Sequence, residues 1–213
     1  DSLAETVFLS EKPIPTRYWA WVNCLCPLPN IQSGGLGEFE TGCVTISTSG
    51  IVPIVEPEIL MDGTHNIKQC QNVTENILIK LFESLLNEDI MLEGLILKVN
   101  MIKNGTNSTE KADLSEIVNS TISVLKKCVP EEVSGIFFLS GGISETESTS
   151  ILCNINKQLL TKPWYISFSY GRALQHSALK IWNGQDNNIN NAHDKLLDRS
   201  RSNSLAILGI DVC

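Results

Sequence analysis

No stretch of this 213-residue chain reaches 18 consecutive apolar residues, so nothing in it reads as a transmembrane helix. Positive charge is scarce too. The chain has 16 Lys and Arg against 24 Asp and Glu, a net charge of −8. That balance argues against general binding to nucleic acid or anionic membranes, while leaving room for a local cationic pocket. Paired cysteine motifs are missing. The seven cysteines, at 24, 26, 43, 70, 128, 153 and 213, are odd in number, and Cys24-Leu25-Cys26 is a C-x-C without a second pair. No zinc spacing results, and free thiols in a reducing cytoplasm are the reading. A secretory signal of basic, apolar and small-residue regions is not seen at the start. The N-x-S/T sequons at Asn72, Asn104, Asn107 and Asn119 are therefore read as incidental. No G-x-G-x-x-G follows any apolar run, which weakens a dinucleotide-binding fold.

What is present divides at about residue 50. Residues 1–49 hold four of the eight prolines and a glycine-rich stretch, "SGGLGEFETG", with no sustained helical or strand period, so they read as an irregular leader. Residues 50–213 are regular and read as one α/β domain. Apolar strand candidates at 51–55, 92–97, 135–139 and 164–168 alternate with amphipathic helices. The first helix shows the stripe Ile67, Cys70, Val73, Ile77, Leu78, Leu81 and Leu85. Asp113 with Glu116, and Ser144 with Glu147, are capping-box-like helix starts. A further helix follows Gly171, and the tail from Asn188 to Ala206 is polar with weak helical character. Four βα units in series predict a parallel sheet. Strands this apolar need cover on both faces, from either a doubly wound sheet or a segment of a (β/α)8 barrel.

The chemistry stands at the predicted C-terminal strand ends. "GIVPIVEPEIL" ends in Glu56 and Glu58, which share a face on an extended chain. "LEGLILKVN" sets Lys98 at the mouth of an apolar run, "GIFFLSGG" ends in Ser140 and Gly141, and "WYISFSYGRAL" ends in Ser169, Gly171 and Arg172 before a helix. Taken singly these are ordinary rim and turn residues. Together they suit one reaction. A lysine amine, with a pKa of about 10.4 in water, becomes a usable nucleophile toward a carbonyl when desolvation lowers that value. A neighbouring carboxylate can move the protons of carbinolamine dehydration. Glycine backbone, a helix N-terminus and an arginine fork suit a phosphate. The residues alone thus point to a Schiff-base lyase acting on a phosphorylated ketone.

The segments "GIVPIVEPEILMDGTH", "LEGLILKVNM", "GIFFLSGG" and "KPWYISFSYGRALQHSALKIW" together resemble the class I fructose-1,6-bisphosphate aldolases over residues 50–206. The resemblance implies a partial TIM (β/α)8 barrel and a cytoplasmic enzyme of glycolysis, tetrameric in the family and using no metal or other cofactor. It implies reversible cleavage of fructose 1,6-bisphosphate to dihydroxyacetone phosphate and glyceraldehyde 3-phosphate. By motif, Lys98 is the Schiff-base lysine, Glu56 the acid/base and Glu58 the second glutamate, while Ser140, Gly141, Ser169, Gly171 and Arg172 bind the substrate phosphate. Two departures stand out. Lys98-Val99-Asn100 replaces the family's Lys-Pro-Asn. Residues 1–50 show neither the aspartate that accepts the cleavage proton nor the site lysines and arginine, although "WAWVNCLC" echoes the segment that carries some of them. The chain is accordingly expected to be the second half of an aldolase barrel behind a divergent leader, with cleavage very weak or absent. The alternative is an inactive aldolase-like protein that binds a phosphate ligand or a protein partner.

Overall fold

The computed structural model describes residues 52–211 together with the strand Trp19–Cys26; the rest of the expected leader lies outside the described residues. Among the described residues, five strands form one sheet in sequential order: β1 (Trp19–Cys26), β2 (Val52–Ile59), β3 (Ile96–Val99), β4 (Gly135–Phe138) and β5 (Tyr165–Phe168). Every neighbouring pair is parallel. The helices are α1 (Ile67–Asn87), α2 (Leu114–Cys128), α3 (Glu145–Gln158), α4 (Arg172–Trp182) and α5 (Ile189–Ile207). Four βα units in series are thus present as expected. β1 is an addition: it lies within the stretch read as irregular, yet it pairs along the whole length of β2, from Trp19 opposite Val52 to Cys26 opposite Ile59. The second strand is also shifted, because Leu92–Gly94 is a 3-10 turn and β3 begins only at Ile96.

Alternation along each strand sorts the side chains into two layers. Val55, Leu97, Val99, Ile136, Phe138 and Ile166 share one large core with helix residues such as Leu78, Leu81, Val118, Leu125, Ile151 and Leu152. On the opposite face Val52, Ile54, Ile96 and Phe137 form a separate small cluster without any helix residue. Among the described residues the helices therefore cover one face only. That is the layering of a barrel wall, and it sets aside the doubly wound alternative, whose helices lie on both faces.

The helix starts show why the chain turns where it does. Asp113 accepts from the Glu116 N–H at 2.8 Å and Ser144 from the Glu147 N–H at 3.3 Å, as their spacing suggested. The full reciprocal box is at α1: Asn66 Oδ1 accepts from Gln69 N at 2.9 Å, and Gln69 Oε1 accepts from Asn66 N at 2.9 Å. Asn66→Ala removes one orphan-donor partner and is expected to cost about 1 kcal/mol, read as a lower urea midpoint with an unchanged slope. Among the described residues Cys70, Cys128 and Cys153 are free and buried, and burial pushes all three thiols up. No helix of the described residues is long and apolar enough to cross a membrane.

Candidate active site

Glu56 and Lys98 occupy even-numbered positions on β2 and β3, the face of Ile54 and Ile96 rather than the helix-covered face. Register alone brings them together. Ile54 pairs with Ile96 and Val55 with Leu97, so the next step along both strands aligns Glu56 with Lys98. Lys98 Nζ lies 2.8 Å from Glu56 Oε1, and the two side chains are only 13% and 9% exposed. Ile54, Ile96 and Phe137 lie on the same face and make an apolar floor beneath the pair. The amine and the carboxylate are thus held at the C-terminal mouth of the strands, largely out of bulk water, where their attraction is weakly screened.

Glu58 stands two residues further along β2, and its side chain lies outside the described residues. Val99, where the family has proline, is buried in the helix-side core opposite Phe138. The substitution therefore faces away from Lys98 and leaves the inner face unaltered. Asn100 follows, 3% exposed, with its Nδ2 donating to the Met101 carbonyl at 3.2 Å.

The remaining expected residues come from two adjacent loops. Phe138 on β4 pairs with Phe168 on β5, so the turn at Ser140-Gly141 and the segment Ser169–Arg172 leave from neighbouring strand ends. The Ser169 N–H donates to the Phe138 carbonyl at 2.9 Å and the Leu139 N–H to the Val99 carbonyl at 3.0 Å, which carries the ladder from β3 to β5 up to the loops. Ser140 is buried and accepts from the Ile143 N–H at 2.7 Å. Gly142, at φ +72°, supplies the left-handed residue that this tight turn requires. Gly171 caps α4 without any side-chain hydrogen bond, and Arg172, exposed, is the first helical residue. The start of α4 thus keeps the free N–H groups and dipole that favour an anion. Arg172 follows β5, which lies two strands from the β3 strand that carries Lys98.

A further lock crosses the mouth of the barrel wall. The loops after β2 and β3 are joined by backbone bonds from Gly105 to His65 at 2.9 Å, Thr106 to Met61 at 2.8 Å and Asn107 to Gly63 at 3.0 Å. A Cβ on Gly105 would lie 2.4 Å from the Gly63 carbonyl oxygen, so only glycine permits the approach. Sequence reasoning passed over Arg199 on α5. It is 6% exposed, and its guanidinium reaches the first turns of both α3 and α4. No motif announced it, because it sits in a helix whose apolar period is weak.

The family model for class-I fructose-bisphosphate aldolases of glycolysis matches residues 37–211, beginning 13 residues before the boundary read from composition. Fructose-bisphosphate aldolase C-A of Danio rerio is 47% identical over 160 residues, 75% of this chain and 44% of the relative. The cytosolic fructose-bisphosphate aldolase 4 of Arabidopsis thaliana is 43% identical over 175 residues, 82% of this chain and 44% of the relative. Among solved structures, fructose-bisphosphate aldolase from Plasmodium falciparum, in complex with TRAP and a small-molecule inhibitor, superposes with a TM-score of 0.85 at 36% identity. It covers 92% of this chain and 59% of that one. The chain therefore spans less than half the length of the curated relatives it matches. β1 contains neither lysine nor arginine. On the fold, the parallel strand ends and this match across residues 37–211, the chain belongs to the class-I fructose-bisphosphate aldolase family.

Proposed function

We propose that this chain carries the Schiff-base half of fructose-bisphosphate aldolase chemistry, with Lys98 as the nucleophile. The observation that supports the reading is the 2.8 Å contact between Lys98 Nζ and Glu56 Oε1 inside an apolar mouth. The Lys98 ammonium passes a proton to the Glu56 carboxylate, and the neutral amine attacks the C2 ketone of dihydroxyacetone phosphate; a C–N bond forms, the carbonyl π bond breaks, and a proton shed by the nitrogen moves to the oxygen. Glu56 then protonates the departing hydroxyl, the C–O bond breaks, and water leaves behind the iminium. The iminium draws electrons from C3, the position at which the six-carbon bisphosphate is cleaved or formed. Glu58 is the second glutamate of the site. Ser140, Gly141, Ser169, Gly171 and Arg172 hold the phosphate, for which backbone donors and a planar guanidinium are suited. The full reaction, reversible cleavage of fructose 1,6-bisphosphate to dihydroxyacetone phosphate and glyceraldehyde 3-phosphate, belongs to this reading. So do a cytoplasmic location, in keeping with the cytosolic plant relative, and assembly into homo-oligomers.

Incubation with dihydroxyacetone phosphate and borohydride is the test. The expected product is a reduced adduct on the peptide that contains Lys98. The composition of β1 favours a second reading, an inactive aldolase-like protein that binds a phosphate ligand or a protein partner, because the strand that neighbours Glu56 brings no cation to the site. For the same reason fructose 1,6-bisphosphate cleavage by this polypeptide is expected to be weak beside adduct formation. Phosphate binding without any adduct would favour the second reading, and robust turnover would refute the expectation of weak cleavage.

A further inference from the structure

We propose that Arg199 is a positioning residue for the phosphate loops: it ties the helix starts that follow Ser140-Gly141 and Ser169–Arg172 into one unit. The proposal rests on the phosphate-site reading above. Arg199 Nη2 lies 2.7 Å from the Glu145 carbonyl oxygen, 2.7 Å from Thr149 Oγ1 and 3.2 Å from the Ala173 carbonyl oxygen. Glu145 opens α3, five residues after Ser140, and Ala173 is the second residue of α4, two after Gly171. One nitrogen on α5 therefore bonds to the first turns of both helices. The Glu145 carboxylate doubles the link: Oε2 stands 3.8 Å from Arg199 Nε, while Oε1 accepts from the Ser177 N–H of α4 at 2.8 Å. Thr149 extends the network by donating to Asn203 Oδ1 at 2.6 Å, one turn further along α5 from Arg199. Tyr170, buried and just before Gly171 in the chain, donates its phenol hydroxyl to the Ser148 carbonyl of α3 at 3.0 Å.

A buried guanidinium is costly, and an apolar residue of similar volume would hold α5 to the sheet at least as well. What apolar packing cannot do is fix the direction of two helix starts to within hydrogen-bond tolerance. A phosphate held between two loops needs that precision, since its oxygens must meet donors from both at once. Arg199 is not placed to touch the phosphate. It sets the spacing between the loops that do.

Arg199→Lys keeps the charge and loses the planar fork, and Thr149→Val removes one acceptor of Nη2 with little change of shape. Both are compared with the unaltered chain in two assays well below their melting temperatures. In the first, trapping by borohydride is followed against the concentration of dihydroxyacetone phosphate and, separately, of unphosphorylated dihydroxyacetone. In the second, binding of inorganic phosphate is followed by NMR through the amides of Gly141 and Gly171, which requires no iminium. Arg199→Lys is expected to raise the half-saturating concentrations of dihydroxyacetone phosphate and inorganic phosphate about tenfold, the order of one lost charge-assisted hydrogen bond. Trapping of dihydroxyacetone is expected to stay within about twofold, by the same conversion. Thr149→Val is expected to shift in the same direction by less, and it carries the test if Arg199→Lys does not fold. Equal loss with both ketones, unchanged phosphate affinity, or no phosphate binding by the unaltered chain would each overturn the proposal. Absence of any adduct in the unaltered chain, with the phosphate shift still seen in the variants, would instead sink the Schiff-base reading and leave this one standing.

Discussion

Lys98→Met is expected to give no borohydride-stable adduct at any concentration of dihydroxyacetone phosphate. The side chain stays unbranched and apolar, one atom shorter, but offers no nucleophilic nitrogen, and only an amine can form the iminium that borohydride reduces. The same change has a second consequence. Glu56, its side chain 9% exposed, is left facing an apolar neighbour where an ammonium stood at 2.8 Å. Breaking one side of a buried pair costs about 3–5 kcal/mol, a large share of the roughly 5–15 kcal/mol that holds a domain together. Lys98→Met should therefore unfold at clearly lower urea. Lys98→Met combined with Glu56→Leu should recover most of the loss, because no charge is then stranded. Chemistry and stability separate in this series: the double variant regains stability and still gives no adduct. An adduct that persists in Lys98→Met on another lysine would remove position 98 from the reaction.

The approach of Lys98 to Glu56 follows once their strands are paired, because parallel strands leave little freedom. Once "IVPIVEPE" and "LILKV" are taken as neighbouring strands, alternation puts Glu56 and Lys98 on one face. Register then decides the contact. Strand boundaries were less legible. Leu92 and Leu95 are apolar, 6% and 0% exposed, because they pack into the helix-side core; their hydrophobicity reads as strand although the backbone at Leu92–Gly94 is a turn. β1 was missed for a different reason. "WAWVNCLC" lacks a clean alternation, and what makes it a strand is eight successive pairs with β2, a tertiary effect that local propensity does not contain.

α5 shows the same limit in the helical case. Its buried residues are Ala192, Arg199, Asn203 and Ala206. Two are small and two are polar, so the inward stripe gives almost no hydrophobic signal, yet Arg199 and Asn203 lie one turn apart on the face that meets α3 and α4. A helix whose fully buried face is small and polar, with Leu196 and Ile207 only partly buried against the core, is hard to see in a pattern of hydrophobicity. Arg199 was hidden for the reason that makes it informative in the structure.

Glu56→Gln removes the proton-transferring carboxylate while keeping the shape of the side chain. The amide is nearly isosteric with the carboxylate and can still accept a hydrogen bond from Lys98, so the amine keeps its place. What is lost is the capacity to deliver a proton to the carbinolamine hydroxyl as the C–O bond breaks. General acid–base catalysis is worth about 10²–10⁴-fold, and the rate at which the adduct appears near pH 7 should fall by that order. The final extent after long incubation should change little, because the nucleophile and the phosphate loops are intact. Rapid-quench borohydride trapping reads the rate and endpoint trapping reads the extent. Glu58 supplies the contrast. If it were the proton donor, Glu56→Gln would keep most of the rate and Glu58→Gln would lose it. The proposed assignment to Glu56 rests on the 2.8 Å between its carboxylate and the Lys98 amine. A group in direct contact with the nucleophile is within reach of the hydroxyl that leaves the same carbon, so the loss in rate is expected at position 56.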